Sequence, residues 1–132
     1  MLELLAPAGN LDAVIAAVQN GADAVYMGFG DGFNARRSAD NFTRESFAKA
    51  VRYCHIRGCK VYVTLNTLVG DREMDAAAAL AQQASDAGAD AILVQDLGLA
   101  RVLRAALPDI PLHASTQMSI HNLAGVEAAA EM

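Results

Sequence analysis

Three stretches of the chain repeat one hydrophobic rhythm. An alanine-rich amphipathic run ends in a glycine, and a short run of β-branched and aliphatic residues follows. The stretches are "NGADAVYMG" (20–28), "RGCKVYVTLNT" (57–67) and "AGADAILVQD" (87–96). A glycine closing a helix, a short loop and a near-continuous apolar strand make an αβ unit, because a strand covered on both faces needs no polar alternation. The echo of GADA at Gly21 and Gly88 marks the unit as an internal repeat. The pattern predicts five strands, over residues 3–6, 24–27, 60–65, 91–94 and 112–115. It predicts helices over about 10–20, 44–57, 71–87, 98–106 and 123–132. Asn10 and Thr43 are the expected caps of the first two helices. Asp71, Arg72 and Glu73 open the third with a charge pattern that suits a helix dipole. "LPDIP" (107–111) stops the fourth and forces extended backbone into the last strand.

Doubly covered strands alternating with helices imply a parallel sheet with right-handed crossovers. Two α/β architectures satisfy this. A flavodoxin-like sheet is complete with five strands, whereas a TIM-barrel-like (β/α) barrel has eight and would be truncated here after five units. The fifth helix runs into "GVEAAAEM" with no glycine cap or proline stop. That favours the barrel: residues 1–132 as one partial domain, the N-terminal portion of a longer protein. A partial barrel leaves two open parallel edges, so self-association through them is expected.

Composition narrows the class. With 54% hydrophobic and 19% charged residues, the 132-residue chain can bury a real core and is not a disordered polymer. A net charge of −5 disfavours binding driven by attraction to phosphates. Arg36–Arg37 and Arg101/Arg104 are the basic clusters, and they read as solvated arginines. Cys54 and Cys59 form no CxxC, and two thiols alone complete neither a tetrahedral metal site nor an iron–sulfur cluster. They are expected to be reduced and buried, with no metal site and no cofactor in this stretch. The chain has neither a basic leader followed by an apolar run nor an apolar stretch of spanning length, so a cytoplasmic location without a membrane partner is expected.

In either architecture, function gathers where the strands end. Those ends read "APAGN", "GFGDGFNARR", "TLNT", "VQD" and "HASTQ". Asn10, Asn34, Arg36, Asn66, Thr67, Gln95, Asp96, His113, Ser115 and Gln117 collect there. His113 is either a satisfied core histidine or a base. Asp96 is either the cap of the next helix or a base. Ser115 lacks a G-x-S-x-G elbow, and His121 reads as an exposed loop residue. Asn66 ends a buried strand, where its amide needs a partner. The segment "GFGDGFNARRSADNF" (28–42) lacks the GxGxxG order of a dinucleotide loop but has the length to cover a pocket.

At these positions the chain resembles the N-terminal half of the collagenase-like bacterial peptidase family. "ELLAPAGN", "NGADAVYMG", "FNAR", "KVYVTLNTL", "ADAILVQDLGL" and "HASTQMSIHN" carry the resemblance in order, over nearly the whole chain. It implies a TIM-barrel-like N-terminal domain of a longer cytoplasmic protein and nominal peptide-bond hydrolysis. It also implies relatives that take part in hydroxylating RNA bases or the ring of ubiquinone with an iron–sulfur cluster. The family's cysteine signature lies downstream of Met132, and Cys54 and Cys59 do not match it. This stretch is therefore expected to carry part of a substrate rim without the full active site.

Two activities follow. In a peptidase acting on a peptide, Asp96 or His113 would be the general base, with Asn66 or Gln117 stabilising the oxyanion. In a hydroxylation factor acting on an RNA base or a quinone, Asn34, Arg36, Asn66, Gln95, Ser115 and Gln117 form the substrate rim. There the amides and Arg36 would hold a flat heterocycle or a phosphate while a downstream cluster handles electrons. By a third reading, the stretch is inactive by itself.

Overall fold

The GADA echo has one structural meaning at both of its positions. The carboxylate of Asp23 accepts the amide of Leu4 at 2.7 Å, and the carboxylate of Asp90 accepts the amide of Val61 at 2.7 Å. Each aspartate also donates its own amide back, Asp23 to the carbonyl of Leu4 and Asp90 to that of Val61. The repeated acid thus pins the start of one strand to its neighbour and sets the register before the ladder begins. The glycines two residues earlier have φ of +89° (Gly21) and +101° (Gly88), the left-handed closure of the preceding helix. At Gly88 a side chain would also press on Val51.

The computed structural model describes residues 2–35 and 41–132. Its strands are β1 (Leu5–Pro7), β2 (Ala24–Met27), β3 (Lys60–Leu65), β4 (Ala91–Val94) and β5 (Leu112–Ala114). Its helices are α1 (Leu11–Gln19), α2 (Arg44–Ile56), α3 (Met74–Asp86), α4 (Leu97–Ala106) and α5 (Leu123–Ala130). A 3-10 turn, Thr116–Met118, follows β5. The strands form one parallel sheet in the order β1-β2-β3-β4-β5. Five parallel strands meet the count of either expected architecture. The sequential order is that of a barrel wall, whereas the flavodoxin-like order would place β1 between β2 and β3.

The caps expected for α1 and α2 form. Asn10 accepts the amide of Ala13 at 2.8 Å, and Thr43 exchanges bonds with Ser46 in a capping box. The third helix starts at Met74 and not at Asp71. Glu73 folds back instead, its carboxylate accepting the amide of Gly70 at 2.9 Å while its own amide donates to the Gly70 carbonyl. The first strand begins at Leu5, because the amide of Leu4 is taken by a side chain. The last strand ends at Ala114, because Ser115 turns to cap the 3-10 turn.

The helices cover one face of the sheet. Val25, Met27, Val61 and Val63 pack with Val14 of α1 and with Phe47, Ala50, Val51 and Cys54 of α2. The buried α2 positions follow the spacing i, i+3, i+4, i+7, a single helical stripe. Leu65, Ile92 and Val94 pack with Ala77 and Ala81 of α3 and Leu99 and Leu103 of α4. Burying each such leucine stabilises by roughly 1.5–3 kcal/mol. By contrast, α5 buries none of its residues, and Leu123 remains 72% exposed.

The opposite face carries a second set of side chains, as strand alternation requires. Ala24, Tyr62 and Ala91 form its buried part, joined by Tyr26 and Leu93. Thr64 lies in register with Leu93, and Leu93 with His113. Continuing each strand by two residues brings Asn66, Gln95 and Ser115 to the next row on that face.

Candidate functional site

The row at the strand ends is joined by hydrogen bonds. Asn66 donates from Nδ2 to Oγ of Ser115 at 3.2 Å, and its Oδ1 accepts the amide of Ala35 at 3.1 Å. Ser115 is buried, and its hydroxyl oxygen also accepts the amide of Gln117 at 3.3 Å. One asparagine thus ties the β2–α2 loop to β3 and to the turn after β5. Asn66, Gln95, His113 and Ser115 share the strand-end half of one sheet face.

The other expected residues divide. Asp96 caps α4: Oδ1 accepts the amide of Leu99 at 2.8 Å, and Oδ2 accepts the amide of Val69 at 3.3 Å. Both carboxylate oxygens therefore hold backbone. His113 lies one row beneath the rim, edge-on to Tyr62 with ring centroids 4.8 Å apart and an interplanar angle of 81°. Tyr62 donates its hydroxyl to Glu3 at 2.7 Å, and Lys60 reaches the other Glu3 oxygen at 3.1 Å. The bond from Tyr62, reinforced by Lys60, holds the Glu3 carboxyl below its usual range, while burial and Glu3 push the Tyr62 phenol up. Asn34 donates from Nδ2 to Asn41 at 3.1 Å and clamps the two ends of its loop. This clamp explains Gly28: a side-chain carbon there would overlap the amides of both asparagines. Arg36 lies outside the described residues.

Much of the polar segment after β5 serves its own backbone. Ser115 caps the 3-10 turn, the carbonyl of Ser119 pairs with Nδ1 of His121 at 2.8 Å, and Asn122 caps α5 by accepting the amide of Gly125 at 2.8 Å. Gln95 and Gln117 are left facing a cleft of about 580 Å³, with Leu68 and Met118 among its apolar walls.

A second cleft, of about 480 Å³, lies on the other side of Leu68. Asp31, Phe33, Asn34, Asn41, Thr67 and Glu73 line it. Phe33 has φ +57°, a left-handed conformation that costs a bulky residue about 1–2 kcal/mol. The strand-end reading included Thr67 and Asn34 but missed Asp31, Phe33 and Glu73. The glycines around Asp31 and the loop's length were the available signal.

The cysteines do not fit a metal cluster. Cys54 and Cys59 are both buried and free. Burial pushes the Cys54 thiol up to about 12 and raises that of Cys59. Among the described residues, no three or more His, Cys, Asp or Glu side chains are grouped to hold a metal ion. No helix among them is long and apolar enough to cross a membrane.

Comparison with solved structures supports the barrel. A dihydrodipicolinate synthase (DHDPS) from Cyanidioschyzon merolae, crystallised with lysine, superposes with a TM-score of 0.56 at 13% identity, covering 83% of this chain and 44% of that one. A phosphonopyruvate hydrolase complexed with oxalate and magnesium gives 0.52 at 19% identity, covering 84% and 44%. Both neighbours are TIM-barrel enzymes, and at these identities the likeness concerns fold alone. In sequence, the chain is 43% identical over 92% of its length to the 23S rRNA 5-hydroxycytidine C2501 synthase of Escherichia coli, spanning 18% of that protein. It is 39% identical over 95% of its length to tRNA hydroxylation protein P1 of Bacillus subtilis, spanning 29% of it. It is 36% identical over 91% of its length to a collagenase of Porphyromonas gingivalis, spanning 28%. The chain thus covers less than a third of each of these relatives. Residues 9–132 match the family described as Peptidase family U32, and the chain belongs to that family.

Proposed function

We propose that this chain forms part of the substrate rim of an RNA-base hydroxylation protein. The observation that carries the reading is the strand-end row of Asn66, Gln95 and Ser115, a neutral layer of amides and a hydroxyl held by the Asn66–Ser115 bond. Neutral donors and acceptors on a rigid sheet suit the edge of a base extruded from its stack. They offer little to a phosphate, and the net charge of −5 agrees. Attraction to the RNA backbone would come from other parts of a longer protein. An iron–sulfur cluster, as the resemblance implies, would be ligated by cysteines outside this chain. Relatives named for rRNA and tRNA hydroxylation support the reading, which would place the protein in the cytoplasm with those RNAs.

The test is deletion of the gene in its host, followed by mass-spectrometric nucleoside analysis of rRNA and tRNA. Loss of one hydroxylated nucleoside is expected. It should return with the wild-type gene and stay reduced with Asn66→Ala or Gln95→Ala. A nucleoside profile unchanged by the deletion would exclude the reading.

A second reading, peptide hydrolysis, is favoured by the place of His113 directly beneath Ser115 and by the relative named collagenase. His113 would act as general base toward water, with the Gln117 or Asn66 amide facing the oxyanion. Asp96 is the weaker base, since both its oxygens hold backbone amides. Unchanged cleavage of a gelatin substrate by His113→Ala and Asp96→Asn would remove both roles.

A further inference from the structure

Three helices end in the same backbone motif. After α1, α2 and α3 a glycine amide donates back to the carbonyl of Val18, His55 or Ser85, and the next amide donates to that of Ala17, Cys54 or Ala84. These paired bonds are the Schellman closure, which sets the residue after the glycine beside the one five positions before it. The two places are taken by Ala17 and Ala22 after α1, by Cys54 and Cys59 after α2, and by Ala84 and Ala89 after α3. Alanine fills both places in two of the three units, so close packing alone does not call for sulfur in the other. The amide of Cys59 reaches the carbonyl of Cys54 at 3.0 Å, and the two thiols interact with each other. A direct backbone bond between two residues holds their Cα atoms about 5–6 Å apart, inside the span of a disulfide. Both thiols are buried, but the turn between them, residues 55–58, is exposed throughout. His55 fastens that turn through its 2.8 Å contact with Asp90.

We propose that Cys54 and Cys59 are a redox modification site, closing into a disulfide across the end of α2 with a low-molecular-weight disulfide as the oxidant. The exposed turn opens first, because the buried thiols are otherwise out of the oxidant's reach. One protein thiolate then attacks the small disulfide, bonds to one of its sulfurs and expels the other half as a thiol. The second cysteine attacks the protein sulfur of that mixed disulfide and expels the remaining half. The two protein thiols lose two protons and two electrons, and the small disulfide leaves as two thiols. The bridge keeps the turn from opening again and fastens α2 to the start of β3, the strand that leads to Asn66. A dithiol reductant reverses it by the same exchange.

The experiment is incubation of the folded protein with oxidised glutathione at mildly alkaline pH, an acid quench, and intact-mass and peptide mapping. Loss of the mass of two hydrogens and a peptide cross-linked from Cys54 to Cys59 are expected. The bridged protein should melt about 5 °C above the reduced one, and dithiothreitol should restore the lower midpoint. The Cys54→Ala/Cys59→Ala double variant carries the residues found at these places in the sister units, so it should fold and show no such shift. A protein that stays reduced, that stops at a glutathione adduct, or that closes only in denaturant would overturn the proposal. So would a bridged protein that melts no higher than the reduced one, or an equal shift in the double variant.

Discussion

Asn66 and Ser115 stand 49 positions apart in the chain and are joined by a 3.2 Å hydrogen bond at the ends of two strands that do not neighbour each other in the sheet. β4 lies between β3 and β5, so the bond bridges over the end of a strand. Because Asn66 also holds the amide of Ala35, one side chain couples three loops.

Replacing Asn66 with alanine should therefore loosen the β2–α2 loop as well as the strand ends. Ser115 would lose its buried donor, at about 1–2 kcal/mol. Urea denaturation should show the lower midpoint, and hydrogen exchange should show faster exchange at Ala35. Unchanged exchange there would mean that the coupling is not felt.

The acids of the GADA echo should be worth more to stability than to chemistry. Asp90→Ala leaves the amide of Val61 without its acceptor and removes the 2.8 Å partner of His55, for a loss of roughly 1.5–3 kcal/mol. Asp23→Ala should lose less, because its single side-chain bond, to Leu4, is exposed. Denaturant midpoints of the two variants decide the order.

Gly28→Ala should disrupt the Asn34–Asn41 clamp, since the added methyl overlaps both amides. A destabilisation of about 1–3 kcal/mol is expected. Gly9→Ala is the control: nothing lies within 4 Å of its added carbon. Equal thermal midpoints for the two variants would contradict the close approach at Gly28.

Cys54 sets an alkaline limit. Its thiol is raised from an ordinary value near 9.0 to about 12, so the unfolded chain releases this proton first. Its contribution to stability is complete below pH 9 and declines as pH rises toward 12. Cys54→Ala should be less stable at neutral pH yet show a flatter decline over that window. A parallel decline in both proteins, by denaturation at stepped pH, would assign the alkaline loss elsewhere.

β1 and β5 are the sheet edges, and α5 leaves Leu123 exposed. Dimers or larger species of this chain are expected by light scattering, with self-pairing along those edges. A monomer at high concentration would refute the expectation.

How much of this was legible beforehand differs by level. Periodicity placed all five strands within a residue or two, because each unit repeats the same glycine-closed helix and apolar run. The expected caps at Asn10 and Thr43 formed because capping depends on residues three apart. Asp96 shows the limit: its two sequence readings, cap or base, differ only in what lies nearby, and the amides of Leu99 and Val69 gave it the cap. The clustering at 111–122 overstated the chemistry, since the side chains of His121 and Asn122 act on adjacent backbone. The acidic cleft around Phe33 was illegible because Glu73 joins Asp31 only once α3 packs beside the β2–α2 loop.

The sequence by itself determined the elements, their succession along the chain and the caps at Asn10 and Thr43, because these depend on contacts a few residues long. Tertiary structure alone decided which loops meet: that Asn66 reaches Ser115, that His113 rests on Tyr62, and that Leu68 divides two clefts. Those contacts arise when parallel strands stack side by side in chain order, and no local propensity encodes a distance across three strands.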